Sequence, residues 1–245
     1  MFHAAACGYP AAMARSARVA PGGLVYHVLN RSVGRITLFR RDKDYEAFEK
    51  ILIEAHARMA LRICAYCILG THWHFVTWPE ADGELSEFFR WMTLTHAMRW
   101  RVAHHSVGYG PLYQGRFKNF PVEEDEAFLM VCRYVERNAL SAGLVKRAED
   151  WRWGSLWARS NGSEALRRVL CDWPVNRPRN WVERVNMPLT AREVERVRTS
   201  ISRNRPMGSA EWVERTVRRL GLGQTIRSEG RPPKAARREG RNTNN

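Results

Sequence analysis

Two histidines in an apolar stretch offer the first candidate chemistry in this sequence. His72 and His74 follow another β-rich run at 61–69, so the pair is expected on a strand. Because successive side chains of a strand point to opposite faces, both imidazoles should share one face, with Trp73 and Phe75 on the other. Two imidazoles on one rigid strand supply half of a metal site. They equally fit the polar face of a half-buried strand, so the pair alone leaves both interpretations open.

A phenol and an amide at helical spacing offer the second candidate chemistry. Tyr134 and Asn138 are four residues apart in a predicted helix and should share one of its faces. Packed against the histidine strand, that face would present an amide oxygen and a phenol to a bound cation. Two neutral imidazoles and an amide leave the full charge of the ion free to polarise a phosphodiester oxygen. Oxygen ligation favours Mg²⁺ or Mn²⁺ over a closed zinc site.

The same two residues also have an ordinary interpretation. A phenol with a pKa of about 10 is a poor nucleophile at neutral pH unless a cation or a base lies close to it. Without such a neighbour, Tyr134 is a packed helix residue and Asn138 is a polar group near the end of the helix.

The charge of the chain indicates a polyanionic partner. Forty Lys and Arg residues against 25 Asp and Glu give a net charge of +15 in 245 residues. Most of the cations are arginines, whose planar fork of donors suits phosphate groups. Nucleic acid is therefore the expected partner, although membrane-surface and ribosome-associated proteins share such a balance.

The cysteines and the apolar runs narrow the cellular context. Five cysteines without regular spacing do not indicate a secreted disulfide framework. Cys64 and Cys67 form a CxxC pair, but within a strand their thiols are expected on opposite faces, which suits neither zinc nor redox chemistry. No apolar run approaches the ~20 residues of a membrane span, and the N-terminal residues lack the order of a secretory signal. We expect a cytoplasmic protein with no membrane partner.

The periodicity predicts an α+β domain with the elements of a ferredoxin-like split βαβ sheet and helices on one face. The predicted order is a strand at 24–31, a helix at 42–60, strands at 61–69 and 72–78, a helix at 84–105, a short basic strand at 115–122 and a helix at 123–140.

Composition divides the chain into three predicted parts. Residues 1–20 are expected to be a disordered leader, 21–160 the catalytic domain and 161–245 a basic C-terminal extension whose end is disordered. The last fifth of the chain, 201–245, carries eleven Lys and Arg against four Asp and Glu. Two helices are predicted within the extension, near 191–201 and 209–220.

Several segments in consistent order across 21–234 resemble the single-tyrosine HUH transposases, and most closely the branch of REP-associated tyrosine transposases. The segments are His72-Trp73-His74, 110–118, 134–145, 151–155 and 205–209. The family usually has Pro-Asn before the first histidine, where this chain has Gly70-Thr71.

This resemblance implies a function and a role for each candidate residue. It implies cleavage of single-stranded DNA near imperfect hairpins, which leaves a 5′-phosphotyrosine and a free 3′-OH. Tyr134 would be the nucleophile, and His72, His74 and Asn138 would ligate Mg²⁺ or Mn²⁺. The expected partner is single-stranded or hairpin DNA, bound by a monomer or a homodimer.

Six residues are candidates for DNA contact, since hairpin binding needs phosphate contacts for affinity and base contacts for register. They are Arg116, Lys118, Arg133 and Arg137 for phosphates, Tyr113 as an exposed aromatic that stacks on bases, and Arg231 in an arm that enters the minor groove. For each arginine the alternative is a solvated surface charge, and for the arm it is a solubilising tail.

Two other functions remain open from the sequence. A hairpin-binding regulator that kept the fold without turnover would bind DNA without nicking it, and would tolerate His72→Ala. A metal-assisted hydrolase that uses activated water would nick DNA without a covalent adduct, and would tolerate Tyr134→Phe.

Overall fold

The structure, a computed structural model, describes residues 18–227. Its sheet has four antiparallel strands in the spatial order β2-β3-β1-β4. The strands are β1 (Val25–Arg31), β2 (Arg62–Leu69), β3 (His72–Trp78) and β4 (Lys118–Val122). Helix α1 (Asp42–Arg58) connects β1 to β2, and α2 (Glu84–Ala103) lies between β3 and β4. This is the predicted α+β, ferredoxin-like split βαβ arrangement.

Helices cover both faces of the sheet, whereas the sequence analysis placed them on one. One face packs on α1 and α2 in the first core, which includes Tyr26, Phe48, Tyr66, Trp73, Phe75, Phe88 and Phe89. The other face packs on α3 (Glu126–Glu136) in the second core, which includes Cys64, Cys67, Val76, Phe120, Phe128, Val131 and Val135. Strand residues on both faces are apolar, so each face needs a helical cover to remove it from water.

A β-bulge in β2 changes the expected placement of two cysteines. The register of β2 against β3 shifts between Ile63 and Ala65. An extra residue reverses the alternation of faces on one side of it. As a result, Cys64 and Cys67 both lie in the second core, and the expectation of opposite faces is wrong.

The predicted helix over 123–140 is divided. Helix α3 ends at Glu136, and a separate turn, α4 (Asn138–Ser141), begins after Arg137. The Arg137 guanidinium donates to the carbonyls of Val185 and Asn186, which ties this break to a later helix. Tyr134 and Asn138 therefore lie on two consecutive short elements rather than on one continuous helix.

The C-terminal part of the described chain adds five helices. They are α5 (Ser155–Asn161), α6 (Glu164–Arg168), α7 (Trp181–Asn186), α8 (Ala191–Arg203) and α9 (Ala210–Leu220). The last two confirm the helices predicted near 191–201 and 209–220. Helices α7 and α8 pack in the second core, α6 packs in the first, and α5 contributes to both. Trp181, Val185 and Val197 are buried in the second core beside α3.

A buried carboxylate holds α3 to this C-terminal part. Ser155 Oγ and Trp181 Nε1 each donate to the Glu136 carboxylate at 2.6 Å. Residues beyond 160 thus help to position α3, while the proposed domain limits stay predictions. No helix within the described range has the length and apolar character needed to cross a membrane.

Candidate functional site

The histidine strand has the predicted arrangement of faces. Trp73 and Phe75 lie in the first core, and Val76 lies in the second. His74 is on the α3 side, only 3% exposed, and its ring contacts that of Tyr134. The rings of His72 and His74 meet edge to face with centroids 5.1 Å apart, so the two imidazoles converge on one side of the sheet.

A third histidine, which the sequence analysis did not single out, supports His74. His27 of β1 is fully buried, and its Nε2 lies 3.0 Å from Nδ1 of His74. The register pairs Leu29 with His74 and His27 with Val76, so His27 shares the face of His74. Only the pairing of β1 with β3 brings these rings together, and a local sequence pattern carries no signal for it.

The Nδ1 atom of each histidine on β3 takes part in a hydrogen bond. His72 Nδ1 lies 3.0 Å from Thr71 Oγ1, and His74 Nδ1 contacts His27 as described. These contacts occupy Nδ1 of both rings, and when Nδ1 carries the proton, Nε2 is left as the acceptor. Nε2 of each ring is therefore the atom that can bind a cation. Thr71 supplies one of these two bonds.

Both rings are neutral at neutral pH. Burial lowers the pKa of His72 to about 4, and Arg31 contributes in the same direction. Burial lowers the pKa of His74 well below its usual value, helped by the charges of His27, His72 and Arg31. Because a metal binds the neutral imidazole, these shifts keep both rings in the ligating form.

Tyr134 lies directly against this histidine pair. Its ring meets His74 edge to face with a centroid distance of 6.0 Å, and its side chain is half-buried. Burial raises the pKa of Tyr134, while the positive charges of Arg198 and Arg31 act to lower it. These two arginines, on α8 and β1, are residues that the sequence analysis missed, and they would favour a phenolate over the buried phenol.

Asn138 begins the turn beside the same strand. The backbone N–H of Ala139 donates to Cys67 Sγ, and Cys67 pairs in register with His74. The buried Nδ2 of Asn138 has no hydrogen-bond partner among the described residues. Nδ2 is a donor, so only the amide oxygen can bind a cation, and no hydrogen bond at Nδ2 within the described range fixes where that oxygen points.

The candidate ligands of this site are uncharged. Across residues 18–227 no group of three or more His, Cys, Asp or Glu side chains converges as a metal site. The candidate ligands are then the two Nε2 atoms and the amide oxygen of Asn138. Such an uncharged set of two imidazoles and one amide can hold a divalent cation that keeps several waters.

A basic groove of about 740 Å³ adjoins Arg31. It runs between the ends of β1 and β4, the loop before β4, and the C-terminal end of α8. Its charged lining residues within the described range are all cationic: Arg18, Arg31, Arg116, Lys118 and Arg203. Amides from Asn30, Gln114, Asn119, Asn204 and Gln224 also line it. The groove thus contains Arg116 and Lys118, two of the predicted phosphate contacts, both exposed.

Tyr113 is not the exposed aromatic that the sequence analysis expected. It is 7% exposed, and its hydroxyl accepts from Trp73 Nε1 at 3.1 Å and lies 2.6 Å from His96 Nδ1. The first core encloses the ring, so no face of it is open to a base. The expectation that Tyr113 stacks on DNA is therefore wrong.

The remaining predicted DNA contacts have other positions. Arg133 donates to the carbonyls of Met187 and Pro188, just after α7, and Arg137 to those of Val185 and Asn186, at the end of α7. Both guanidiniums therefore hold the C-terminal end of α3 to the region of α7. Their contact with phosphate stays a prediction. Arg231 lies outside the described residues.

Two solved structures are similar to parts of this chain. No curated protein matches the chain. A solved structure of a REP-associated tyrosine transposase bound to a REP hairpin is 19% identical, covering 73% of this chain and 96% of that one, with a TM-score of 0.49. A crystal structure of a candidate transposase from Deinococcus radiodurans is 17% identical, covering 50% of this chain and 96% of that one, with a TM-score of 0.36.

The family comparison covers the candidate site itself. The model of the family described as "Transposase IS200 like" matches residues 22–138. This span includes the whole sheet, both histidines of β3, Tyr134 and Asn138. The family resemblance inferred from the motifs is thereby confirmed over this span: residues 22–138 match the model of the IS200-like transposases.

Proposed function

We propose that this protein cleaves and rejoins single-stranded DNA beside hairpins, through a covalent bond between Tyr134 and a 5′ phosphate. The observation that carries the proposal is the edge-to-face contact of Tyr134 with His74, at 6.0 Å between ring centroids. This contact puts a phenol beside two neutral imidazoles whose hydrogen bonds are made through Nδ1 and not through Nε2. The branch of REP-associated tyrosine transposases, which the motifs resemble most closely, is the proposed relationship within the family.

His72, His74 and Asn138 are the proposed ligands of a divalent cation. Mg²⁺ or Mn²⁺ bound there would supply Lewis acidity to an oxygen of the scissile phosphate. Because none of the three ligands is charged, they withdraw little of the positive charge from that oxygen. Thr71 and His27 hold the two rings with Nε2 directed away from their own hydrogen bonds.

Tyr134 makes the proposed attack on phosphorus. A bond forms between the phenol oxygen and phosphorus, and the bond from phosphorus to the 3′ oxygen breaks. The phenol loses one proton and the departing 3′ oxygen gains one, so the charges balance. The exchange of one phosphodiester for another conserves the bond energy, which permits rejoining in the reverse direction. Arg31 and Arg198 stabilise the phenolate that forms beside them.

The basic groove is the proposed path of the DNA strand. Arg31 lines the groove and also acts on the charges of His72, His74 and Tyr134, so the groove leads to the site. Arg116 and Lys118 supply phosphate contacts along it, and the amides offer hydrogen bonds to unpaired bases.

A covalent-adduct assay tests the proposal. Labelled single-stranded oligonucleotides with hairpins, including those that flank the gene, are incubated with the full chain and Mg²⁺ or Mn²⁺, then run on a denaturing gel. We expect a labelled protein band that needs the ion and disappears in Tyr134→Phe. Tyr109→Phe is the matched control, since Tyr109 is 78% exposed in a loop away from the site, and it should retain the band.

The alternatives give different gels. A metal-assisted hydrolase would release nicked DNA without an adduct, and Tyr134→Phe would still nick. A hairpin-binding regulator would shift the DNA in a native gel but leave it intact with every ion, and His72→Ala would not weaken binding. An adduct that survives in Tyr134→Phe would exclude Tyr134 as the nucleophile.

A further inference from the structure

Two cysteines that the proposed reaction does not use face each other at the edge of the sheet. Cys64 Sγ and Cys171 Sγ are 3.7 Å apart although 107 residues separate them in the chain. A parallel bridge between Ile63 and Leu170 brings the two segments together. The N–H of Cys171 also donates to the Ile63 carbonyl at 3.0 Å, so the backbone holds the pair in place.

The two thiols have unequal environments. Cys64 is fully buried, whereas Cys171 is half-buried and open to small solutes. The hydrogen bond between the two sulfurs lowers the pKa of Cys171 despite burial, and Arg159 and Arg62 add to this effect. The same hydrogen bond, with burial, raises the pKa of Cys64. Cys171 is therefore the better nucleophile, and Cys64 is the thiol placed to react second.

The surroundings fix the geometry of the pair. One guanidinium nitrogen of Arg159 donates to the carbonyl of Cys64 at 2.8 Å and to that of Cys171 at 3.2 Å. Trp173 Nε1 donates to the same Cys64 carbonyl at 2.8 Å. The parallel bridge beside the two cysteines sets their backbones about 4.8 Å apart, the usual strand spacing. This lies within the Cα separations that a disulfide spans, so side-chain rotation can bring the sulfurs to the ~2.05 Å of a disulfide.

We propose that Cys171 and Cys64 are a peroxide-sensitive pair that closes to an intramolecular disulfide. The Cys171 thiolate attacks one oxygen of hydrogen peroxide, the O–O bond breaks, and hydroxide leaves to give the sulfenic acid. The Cys64 sulfur then displaces hydroxide from Cys171 while its thiol proton is lost. Two thiols thus give up two protons and two electrons, which convert one peroxide into two waters.

The disulfide would link β2 to the segment that supports α3. Trp173, two residues after Cys171, packs on Phe128 of α3 and on Trp181 of α7, with centroid distances of 5.2 and 4.9 Å. Closing a loop of this length restricts the unfolded chain strongly, so the oxidised protein should melt higher by about 5 °C or more.

Peptide mapping of the oxidised full chain tests the proposal. The protein is treated with hydrogen peroxide, its remaining thiols are alkylated under denaturing conditions, and non-reduced peptides are identified by mass spectrometry. We expect a peptide linking Cys64 to Cys171 that dithiothreitol separates, together with the higher melting temperature. Mapping also distinguishes any reaction of Cys7, which lies outside the described residues.

Three variants assign the roles. Cys171→Ser should leave Cys64 alkylatable, because the buried thiol does not react first. Cys64→Ser should let Cys171 proceed to the sulfinic acid, since no second thiol resolves the sulfenic acid. Cys132→Ser is the matched control, a buried cysteine on α3 whose loss should leave the linked peptide unchanged. Peroxide-treated wild type with both thiols still alkylatable, or linked through Cys67 or Cys132 instead, would overturn the proposal.

Discussion

Nε2 of His27 lies 3.0 Å from Nδ1 of His74, and both rings are buried between the sheet and α3. The contact joins two adjacent strands and determines which nitrogen of His74 faces the proposed cation. For His74 to bind through Nε2, its Nδ1 must carry the proton and donate it to His27. His27 then carries its own proton on Nδ1, an atom with no partner among the described residues. The tautomer of His74 that can bind a cation therefore leaves the Nδ1–H donor of His27 unsatisfied.

The first prediction concerns this contact. His27→Ala should weaken Mn²⁺ binding by about 10- to 100-fold, the range found for partners that orient metal ligands. His27→Gln retains a carbonyl oxygen that can accept from His74 and should recover most of the affinity. Isothermal titration of the full chain with Mn²⁺ measures both.

His96→Ala is the control for loss of a buried histidine on the opposite face of the sheet. It should bind Mn²⁺ as the wild type does. Equal affinities of His27→Ala and wild type would show that His74 needs no support from His27. Failure of the wild type to bind Mn²⁺ would instead refute the proposed metal site.

The second prediction concerns the charge of the third ligand. Asn138→Asp should bind Mn²⁺ more tightly but form the DNA adduct more slowly, because a carboxylate withdraws positive charge from the phosphate. Asn138→Ala should lose affinity by about tenfold. The comparison needs Mn²⁺ titrations and single-turnover adduct rates at saturating metal. If Asn138→Ala and wild type have the same affinity, Asn138 is not a ligand.

The third prediction separates chemistry from binding at Arg31. Its charge acts to lower the pKa of Tyr134, so Arg31→Ala should slow adduct formation even at saturating DNA, by about 100-fold if it stabilises the phenolate directly. The loss should be smaller at higher pH, where more phenolate forms without help. Arg31→Lys should recover part of the rate. Single-turnover rates between pH 6 and pH 9 test this, and a defect confined to DNA affinity would contradict it.

The fourth prediction concerns the groove. Each phosphate contact contributes about 0.7 to the slope of log affinity against log salt for single-stranded DNA. Lys118→Ala should therefore reduce the magnitude of that slope by about 0.7, the contribution of one phosphate contact. The preference for one hairpin over another should not change. Lys50→Ala is the matched control, because Lys50 is an exposed lysine on α1, across the sheet from the groove. Equal slopes for Lys118→Ala and Lys50→Ala would place the DNA elsewhere.

Local patterns predicted the elements and the faces of the histidine strand well. Helix α1 runs over Asp42–Arg58 where the periodicity indicated 42–60, and His74 lies opposite Trp73 as the alternation required. Both features depend on neighbours within a few residues of the chain, which a sequence displays directly.

Features that depend on distant neighbours were not predicted. The contact of His27 with His74 spans 47 residues and follows from strand register. The bulge between Ile63 and Ala65 turned Cys64 away from its expected face and toward Cys171. Tyr113 is buried because His96 and Trp73 bind its hydroxyl, and neither contact has a local signature.

The last prediction concerns stability in acid. Burial lowers the pKa of His72 to about 4 and those of His27 and His96 to about 3, so these rings stay neutral in the folded protein. In the unfolded chain each takes up a proton at a pKa of about 6.5. Below that pH the unfolded state binds more protons, and the free energy of unfolding falls by about 1.4 kcal/mol per pH unit for each such ring.

This loss should begin near pH 6.5 and continue toward pH 4, with no contribution from these rings at higher pH. Urea unfolding of the metal-free protein at several values between pH 7.5 and pH 5 gives the slope, with tryptophan fluorescence as the signal. His96→Asn, which can still hydrogen-bond Tyr113, should reduce this slope by about 1.4 kcal/mol per pH unit. The reason is that the variant has one fewer histidine whose protonation differs between the folded and unfolded states. A free energy of unfolding that stays constant from pH 6.5 to pH 5 would mean that the buried histidines are protonated equally in both states, contrary to their burial.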